Sequence, residues 1–319
     1  MDRAPMKERV KDFYWKFEGR SIPLGVGCAY LGGADDYRNT LADDLKLLER
    51  LYELGFRYYD TSRTYNNSEQ AVGEFISRID RKSVFVATKS IYPFRSKKNA
   101  FEIFRSNFHE SFERLKTDHI DLYQIHETEE FECCVQQVIP FLLQQRDKGL
   151  IDYIGLGTRS LNAHELAVLS GNVDSVLSYM NYSLLKRSAS HVIDMAGKHG
   201  VAFINASVFH FGVIKHPNPL QPGKPVHGYH ARNLRSAAAM QQLCREMGVD
   251  IVQASLQYPM LNPGIALTLN GIKRDSNIDS TVAAMRAVIY PEQWARILEL
   301  QEKDPYLYVQ DDLVWEGLL

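Results

Sequence analysis

Apolar side chains recur along this chain in two alternating periods. Leu41, Leu45, Leu48 and Tyr52 advance by four, three and four residues, which predicts one face of a helix. Phe101, Phe104, Phe108, Phe112 and Leu115 repeat that pattern with larger side chains. Between such stretches lie short β-rich runs: SIPLGVGC (21–28), FRYYD (56–60), SVFVATK (83–89), IDLYQIH (120–126), IDYIGLG (151–157), SVLSYM (175–180), VAFINA (201–206) and IALTLNG (265–271). Several are apolar on both faces, as strands require when helices cover one side and a core fills the other. Gly55, Gly149, Gly200 and Gly248 each stand where a helical pattern stops, the place for a left-handed cap.

Eight strands alternating with helices spell a single-domain α/β fold, a (β/α)8 TIM barrel spanning 1–319. A doubly wound sheet is the alternative, disfavoured because no GxGxxG follows the first strand. One interval is longer than the rest: Ala206 to Gly271 spans 65 residues and carries four prolines between 217 and 228. A long loop over 207–232 is therefore expected after the seventh strand, followed by helices at 233–247 and 249–260. Residues 1–20 form an N-terminal segment, and 290–319 a C-terminal helix and tail.

Composition narrows the partners. Lys plus Arg number 37 against 39 Asp plus Glu, so no global charge favours nucleic acid or an acidic membrane. No run approaches the length of a membrane span, and Cys28, Cys133, Cys134 and Cys244 show no CxxC spacing. The expected setting is cytoplasmic, with reduced thiols and a small-molecule partner, as a monomer or homodimer. His216, His227 and His230 lack a companion cysteine or carboxylate cluster, and no metal is expected.

In such a barrel, reactive groups come from the carboxyl ends of different strands. Those ends here present Asp60, with Tyr65 five residues on, Lys89 and His126. Each alone reads equally well as a turn or strand-end residue. Together they bring a carboxylate, a phenol, an ammonium and an imidazole to one mouth. Lys89 near Tyr65 is expected to lower the phenol pKa and ready it for proton transfer, while His126 can orient a carbonyl oxygen.

GFRYYDTSRTYNNSEQAVGEFI resembles the signature of the aldo-keto reductase superfamily: an Asp-Thr pair, a Tyr five residues after the Asp, then Ser-Glu and Gly-Glu. FVATK, HIDLYQIH, IPLGVGCAYLGG, NYSLL, VAFINASVFHFG and LQYPMLNPGIALTLNG resemble other family segments, extending the likeness over roughly residues 20–290. The resemblance implies an extended NADP or NAD bound across the barrel mouth and hydride exchange with a carbonyl carbon. By position, Tyr65 is implied as general acid and base, Lys89 and Asp60 as its tuning pair, and His126 as the carbonyl-oxygen ligand.

Cofactor positions depart from the family pattern. Thr158 and Arg159 stand where Ser-Asn often holds the carboxamide, and Tyr179, or its neighbour Ser178, stands at a common Gln place. Phe209 is the implied aromatic for the nicotinamide ring. In NGIKRDSNIDST, Gly271 and Asn277 occupy positions that are basic in NADP-using relatives, with Lys273 and Arg274 close by as phosphate donors or as solvated cations. The NYSLL and VAFINASVFHFGVI runs are most similar to the branch of L-galactose, D-threo-aldose and pyridoxal dehydrogenases, implying a sugar or related small aldehyde. Tyr30, Tyr92, Phe94 and Trp315 are the aromatic candidates for the substrate. Glu127, Glu129, Glu130 and Glu132 can bind hydroxyls or can simply open an exposed helix with favourable N-terminal charge. The same dinucleotide site also suits a regulatory barrel with little turnover.

Overall fold

The computed structural model describes residues 4–33, 39–93, 98–128, 131–220 and 231–310. Phe94, Glu129, Glu130, Trp315 and residues 221–230 of the proline-rich loop, with His227 and His230, lie outside them. The described chain divides into two compact units. The first comprises residues up to 178, 192–206 and 264–275; the second holds 179–191, 207–263 and 276 onward.

A small antiparallel hairpin opens the chain, β1 (Trp15–Phe17) against β2 (Arg20–Ile22). Eight parallel strands then close a barrel: β3 (Leu24–Gly27), β4 (Tyr58–Asp60), β5 (Phe85–Ile91), β6 (Ile120–His126), β7 (Ile151–Gly157), β8 (Ser175–Tyr179), β9 (Ala202–Ala206) and β10 (Ile265–Gly271), with β10 pairing β3. Closure excludes the doubly wound alternative. The first expected strand, 21–28, is divided: Pro23 lacks the N–H that would continue the ladder, so 20–22 joins the hairpin and 24–27 the barrel.

The hairpin and the short helix Met6–Arg9 were not legible as regular elements, and their burial explains their form. Met6, Val10 and Phe13 share a core cluster with Tyr58, Phe85, Leu122, Tyr153 and Leu267. Phe85 stacks on Tyr58 at 4.8 Å and meets the Phe13 ring edge-on at 5.4 Å. The Tyr153 hydroxyl donates to the Ala4 carbonyl at 2.8 Å. These contacts put the N-terminal segment against inward-facing residues of the barrel, replacing water there with packed rings.

Both apolar helix stripes bury their central residues. In Leu41–Glu53 the buried residues are Asp44, Leu45, Leu47, Leu48 and Leu51, whereas Leu41, the first helical residue inside the Thr40–Asp43 capping box, is 48% exposed and Tyr52 is half-buried. In Ala100–Leu115, Phe104, Phe108 and Leu115 are fully buried, while Phe101 and Phe112 of the expected stripe are half-buried. Gly55, Gly149, Gly200 and Gly248 all adopt positive φ, as their cap positions require.

His164, in helix Leu161–Ser170, faces β8 with Nε2 3.1 Å from the Leu177 carbonyl oxygen, and burial drives its pKa down to about 4. A buried imidazole with a depressed pKa stabilises the fold above its unfolded pKa near 6.5, and that contribution is lost as pH falls toward 4. Acidification from pH 7 to 4 should therefore remove about 3 kcal/mol through this residue. Thermal melts at the two pH values, compared with His164→Asn, check this: the variant's melting temperature should fall less on acidification.

In the second unit, helices Ala231–Glu246, Ile251–Gln257 and Pro291–Glu302 accompany two 3₁₀ segments, His210–Lys215 and Tyr258–Leu261. The expected loop over 207–232 is thus partly helical, because Val213 and Ile214 are buried and the next helix already begins at Ala231. Gln301 donates to the Ser183 and Leu184 carbonyls, and Lys186 to those of Tyr306 and Val309.

Candidate functional site

Asp60 ends β4, Lys89 lies near the end of β5, and His126 ends β6. Three adjacent parallel strands therefore deliver three polar side chains to one end of the barrel, since parallel strands finish on the same side. The Lys89 and Asp60 side chains are 2% and 4% exposed, so neither charge is tolerable without the other. Lys89 Nζ donates to Asp60 Oδ1 and, at 2.9 Å, to the Thr61 carbonyl. The other carboxylate oxygen accepts from Gln124 Nε2 at 3.0 Å. Gly157, opposite, leaves room for that side chain: a Cβ there would stand 3.3 Å from Lys89 Cδ, and the lysine would have to shift.

Tyr65, on the loop after β4, has Lys89 Nζ 4.9 Å from its ring centroid and the His126 ring 5.7 Å away, edge to face. The four residues converge as expected. The expected lowering of the phenol pKa does not occur. Tyr65 is pushed well above its ordinary value, first by desolvation and then by the Asp60 and Glu127 carboxylates. Lys89 cannot reverse this because Asp60, directly paired with it, cancels much of its field. Tyr65 is therefore a protonated phenol at neutral pH.

His126 is held below its ordinary pKa by burial, against the opposing pull of Glu127, and is neutral at pH 7. Its Nδ1 lies 3.1 Å from Ser62 Oγ and 3.3 Å from Thr64 Oγ1, while Nε2 lies 3.3 Å from Glu127 Oε1. Facing a carboxylate, Nε2 carries the proton and donates; Nδ1 then accepts from a hydroxyl. Ser62 is also placed to donate to the Lys89 carbonyl at 3.0 Å, which leaves Thr64 as the donor to Nδ1. The arrangement offers a phenol proton, a neutral N–H donor and a buried ion pair, a set suited to a carbonyl oxygen gaining negative charge.

Gln124, Ser62 and Thr64 were missed as members of this network, and Glu127, read as a hydroxyl ligand or a helix opener, was not placed beside His126. The signal for Gln124 was available: Leu122, Gln124 and His126 alternate on β6, so all three face inward. The hydroxyls carry no such signal, because their role depends on a loop conformation. Other residues of the signature turn out to pack. Glu69 is fully buried between Arg114 Nε at 2.9 Å and Thr88 Oγ1 at 2.7 Å, and Ser68 donates to the Cys28 carbonyl. A Cβ on Gly73 would stand 2.3 Å from the Arg114 carbonyl oxygen, so only glycine permits that close approach.

The remaining candidates distribute as follows. Thr158 and Arg159, both buried, follow β7, where Thr158 N–H donates to the Leu177 carbonyl and Thr158 Oγ1 accepts from Ser160 N–H. Gly271 ends β10, and a Cβ there would meet the Tyr30 ring at 2.8 Å. Lys273 Nζ lies 3.6 Å from the centroid of that same ring, so Tyr30 stands against the loop expected to hold phosphate. Arg274 is exposed just before helix Asp275–Arg286. Tyr92 is buried, its hydroxyl 3.3 Å from Gln137 Oε1. Tyr179, Phe209 and Asn277 belong to the second unit, where Lys215 Nζ sits 4.0 Å from the Phe209 ring centroid and the Asn277 carbonyl accepts from Thr281.

Residues 23–302 match the Aldo/keto reductase family. The D-threo-aldose 1-dehydrogenase of a Pseudomonas species is 26% identical over 314 residues, covering 88% of this chain and 94% of that protein. The L-galactose dehydrogenase of Arabidopsis thaliana is 27% identical over 275 residues, covering 82% and 83% respectively. Among solved structures, the holo form of aldo-keto reductase AKR11C1 from Bacillus halodurans shares the fold, with a TM-score of 0.72 at 24% identity over 87% of this chain and 91% of that one. This chain belongs to the aldo-keto reductase family and is an oxidoreductase that works with NADP or NAD.

Proposed function

We propose that this enzyme interconverts a hydroxyl and a carbonyl on a small sugar or related aldehyde, with Tyr65 exchanging the proton. The observation that carries the reading is the convergence of Tyr65, His126 and the Lys89–Asp60 pair at the strand ends. The two sugar-dehydrogenase relatives, each covering more than four fifths of this chain, support a free aldose as the substrate class.

The residues present fit a nicotinamide dinucleotide. The strand ends carry glycines at 27, 157 and 271, a backbone-lined cradle that Cβ atoms would narrow: at 157 against Lys89, at 271 against Tyr30. Lys273 and Arg274 immediately precede a helix, a setting in which cations suit a phosphate. Thr158 and Arg159 would lie toward the nicotinamide end, and Lys273 and Arg274 would hold the phosphate end. The cofactor, when bound, supplies or accepts the hydride. In reduction, His126 Nε2–H holds the carbonyl oxygen and stabilises its developing charge, and Tyr65 Oη gives that oxygen its proton. In oxidation Tyr65 Oη takes the proton back. Lys89 stays beside the phenol in both directions, held by Asp60, whose other carboxylate oxygen is bonded by Gln124.

The test is absorbance at the reduced-nicotinamide band with each dinucleotide and a panel of aldoses, pyridoxal, aromatic aldehydes and simple aromatic alcohols. Oxidation of at least one aldose at a higher kcat/KM than any simple aromatic alcohol is expected. Cofactor binding without any turnover would instead identify a regulatory barrel.

A further inference from the structure

We propose that Glu127 selects for substrates bearing a hydroxyl hydrogen at, or beside, the reacting carbon. The inference rests on the proposed binding of the reacting oxygen at His126 and adds to it a second polar contact. Three observations carry it.

Glu127 does not open a helix. Among the described residues the next helical segment begins at Glu132, and Glu127 instead adopts φ +49°, with its N–H donating to the Gly157 carbonyl at 2.9 Å. Left-handed backbone is costly for a residue of this kind, and such strain collects where a side chain must point in one direction. Here that direction is the strand-end mouth: Oε1 lies 3.3 Å from His126 Nε2, and the side chain is 38% exposed, which leaves it accessible to a ligand.

The contact has a chemical consequence. His126 Nε2 has one proton to give. An approaching oxygen that only accepts hydrogen bonds competes with Glu127 for that proton and brings its lone pairs against a carboxylate. An oxygen that carries a hydrogen accepts from Nε2 and donates to Oε1 at once, so both groups stay satisfied. A hydroxyl on the neighbouring carbon can make the same donation while the carbonyl meets His126. Glu127 thus rewards hydroxyls and penalises bare carbonyls, a discrimination typical of sites built to hydrogen-bond a substrate O–H.

The experiment compares two aldehydes that differ by their hydroxyls, glyceraldehyde and propanal, in wild-type enzyme and in Glu127→Gln. Wild type should favour glyceraldehyde in kcat/KM by about tenfold or more, as expected for a hydrogen bond to a charged group. Glu127→Gln should erase most of that ratio. An unchanged ratio, or an equal fall with both aldehydes, overturns the proposal, since the latter is what a merely structural glutamate would give. If Glu127→Gln melts early, Glu127→Asn, whose side chain tolerates left-handed backbone, carries the same measurement. The aldose panel is read separately. Failure to oxidise any aldose with a preserved glyceraldehyde preference overturns the sugar reading alone, and inactivity toward every compound overturns both.

Discussion

Tyr65→Phe is expected to lower turnover by about two to four orders of magnitude, the usual worth of a positioned proton donor, while leaving dinucleotide affinity near wild type. The substitution removes one oxygen and keeps the ring that meets His126 edge to face at 5.7 Å and carries Lys89 Nζ 4.9 Å from its centroid. Packing is therefore little changed, and the loss falls on proton transfer. Desolvation and the Asp60 and Glu127 charges hold the phenol well above its ordinary pKa. The acid needed for reduction is thus present throughout the neutral range, whereas the base needed for oxidation becomes more abundant as pH rises. Reduction should accordingly be flat around neutrality and oxidation should climb toward alkaline pH, and both profiles should vanish in Tyr65→Phe. Steady-state kinetics in each direction, with cofactor titration followed by fluorescence, check this. A variant retaining wild-type turnover would displace Tyr65 from its assigned role.

Lys89→Met should cost both activity and stability. Lys89 and Asp60 are an almost fully buried pair, and removing one partner strands the other charge, a penalty of about 3–5 kcal/mol. Gln124 and its bond to Asp60 Oδ2 remain, so the carboxylate keeps one neutral donor but loses its counter-ion. The double variant Lys89→Met with Asp60→Asn should recover a large part of the stability, since replacing a whole buried pair by neutral groups is far milder than breaking it. It should not recover turnover, because the ion pair that stands beside Tyr65 is then absent. Chemical denaturation of the four proteins in this cycle isolates the coupling. Additive losses would mean that the pair contributes no interaction beyond its separate members.

The order of strands and helices was open to reading because each strand is buried on both faces and each helix on one, so burial writes itself into the residue order. SVFVATK and IDLYQIH end on Lys89 and His126 at the point where apolar alternation stops, and a parallel barrel gathers such ends by its topology. The N-terminal hairpin was hidden for the opposite reason. Trp15, Phe17 and Ile22 bury in a pattern only three residues long on each strand, too short for a period to declare itself.

The sequence by itself determined which chemical groups reach the barrel mouth, since their identity and their strand-end positions follow from local pattern. Tertiary structure decided their protonation and their company. Whether Lys89 lowers the Tyr65 pKa depends on how much of its field Asp60 absorbs and on how much water is excluded, both properties of packing between β4, β5 and the following loop. Glu127 could be read equally as a helix opener until its left-handed backbone carried Oε1 to His126. Charge and desolvation act through space over a few ångströms, and residues brought that close by folding need not be near, or patterned, along the chain.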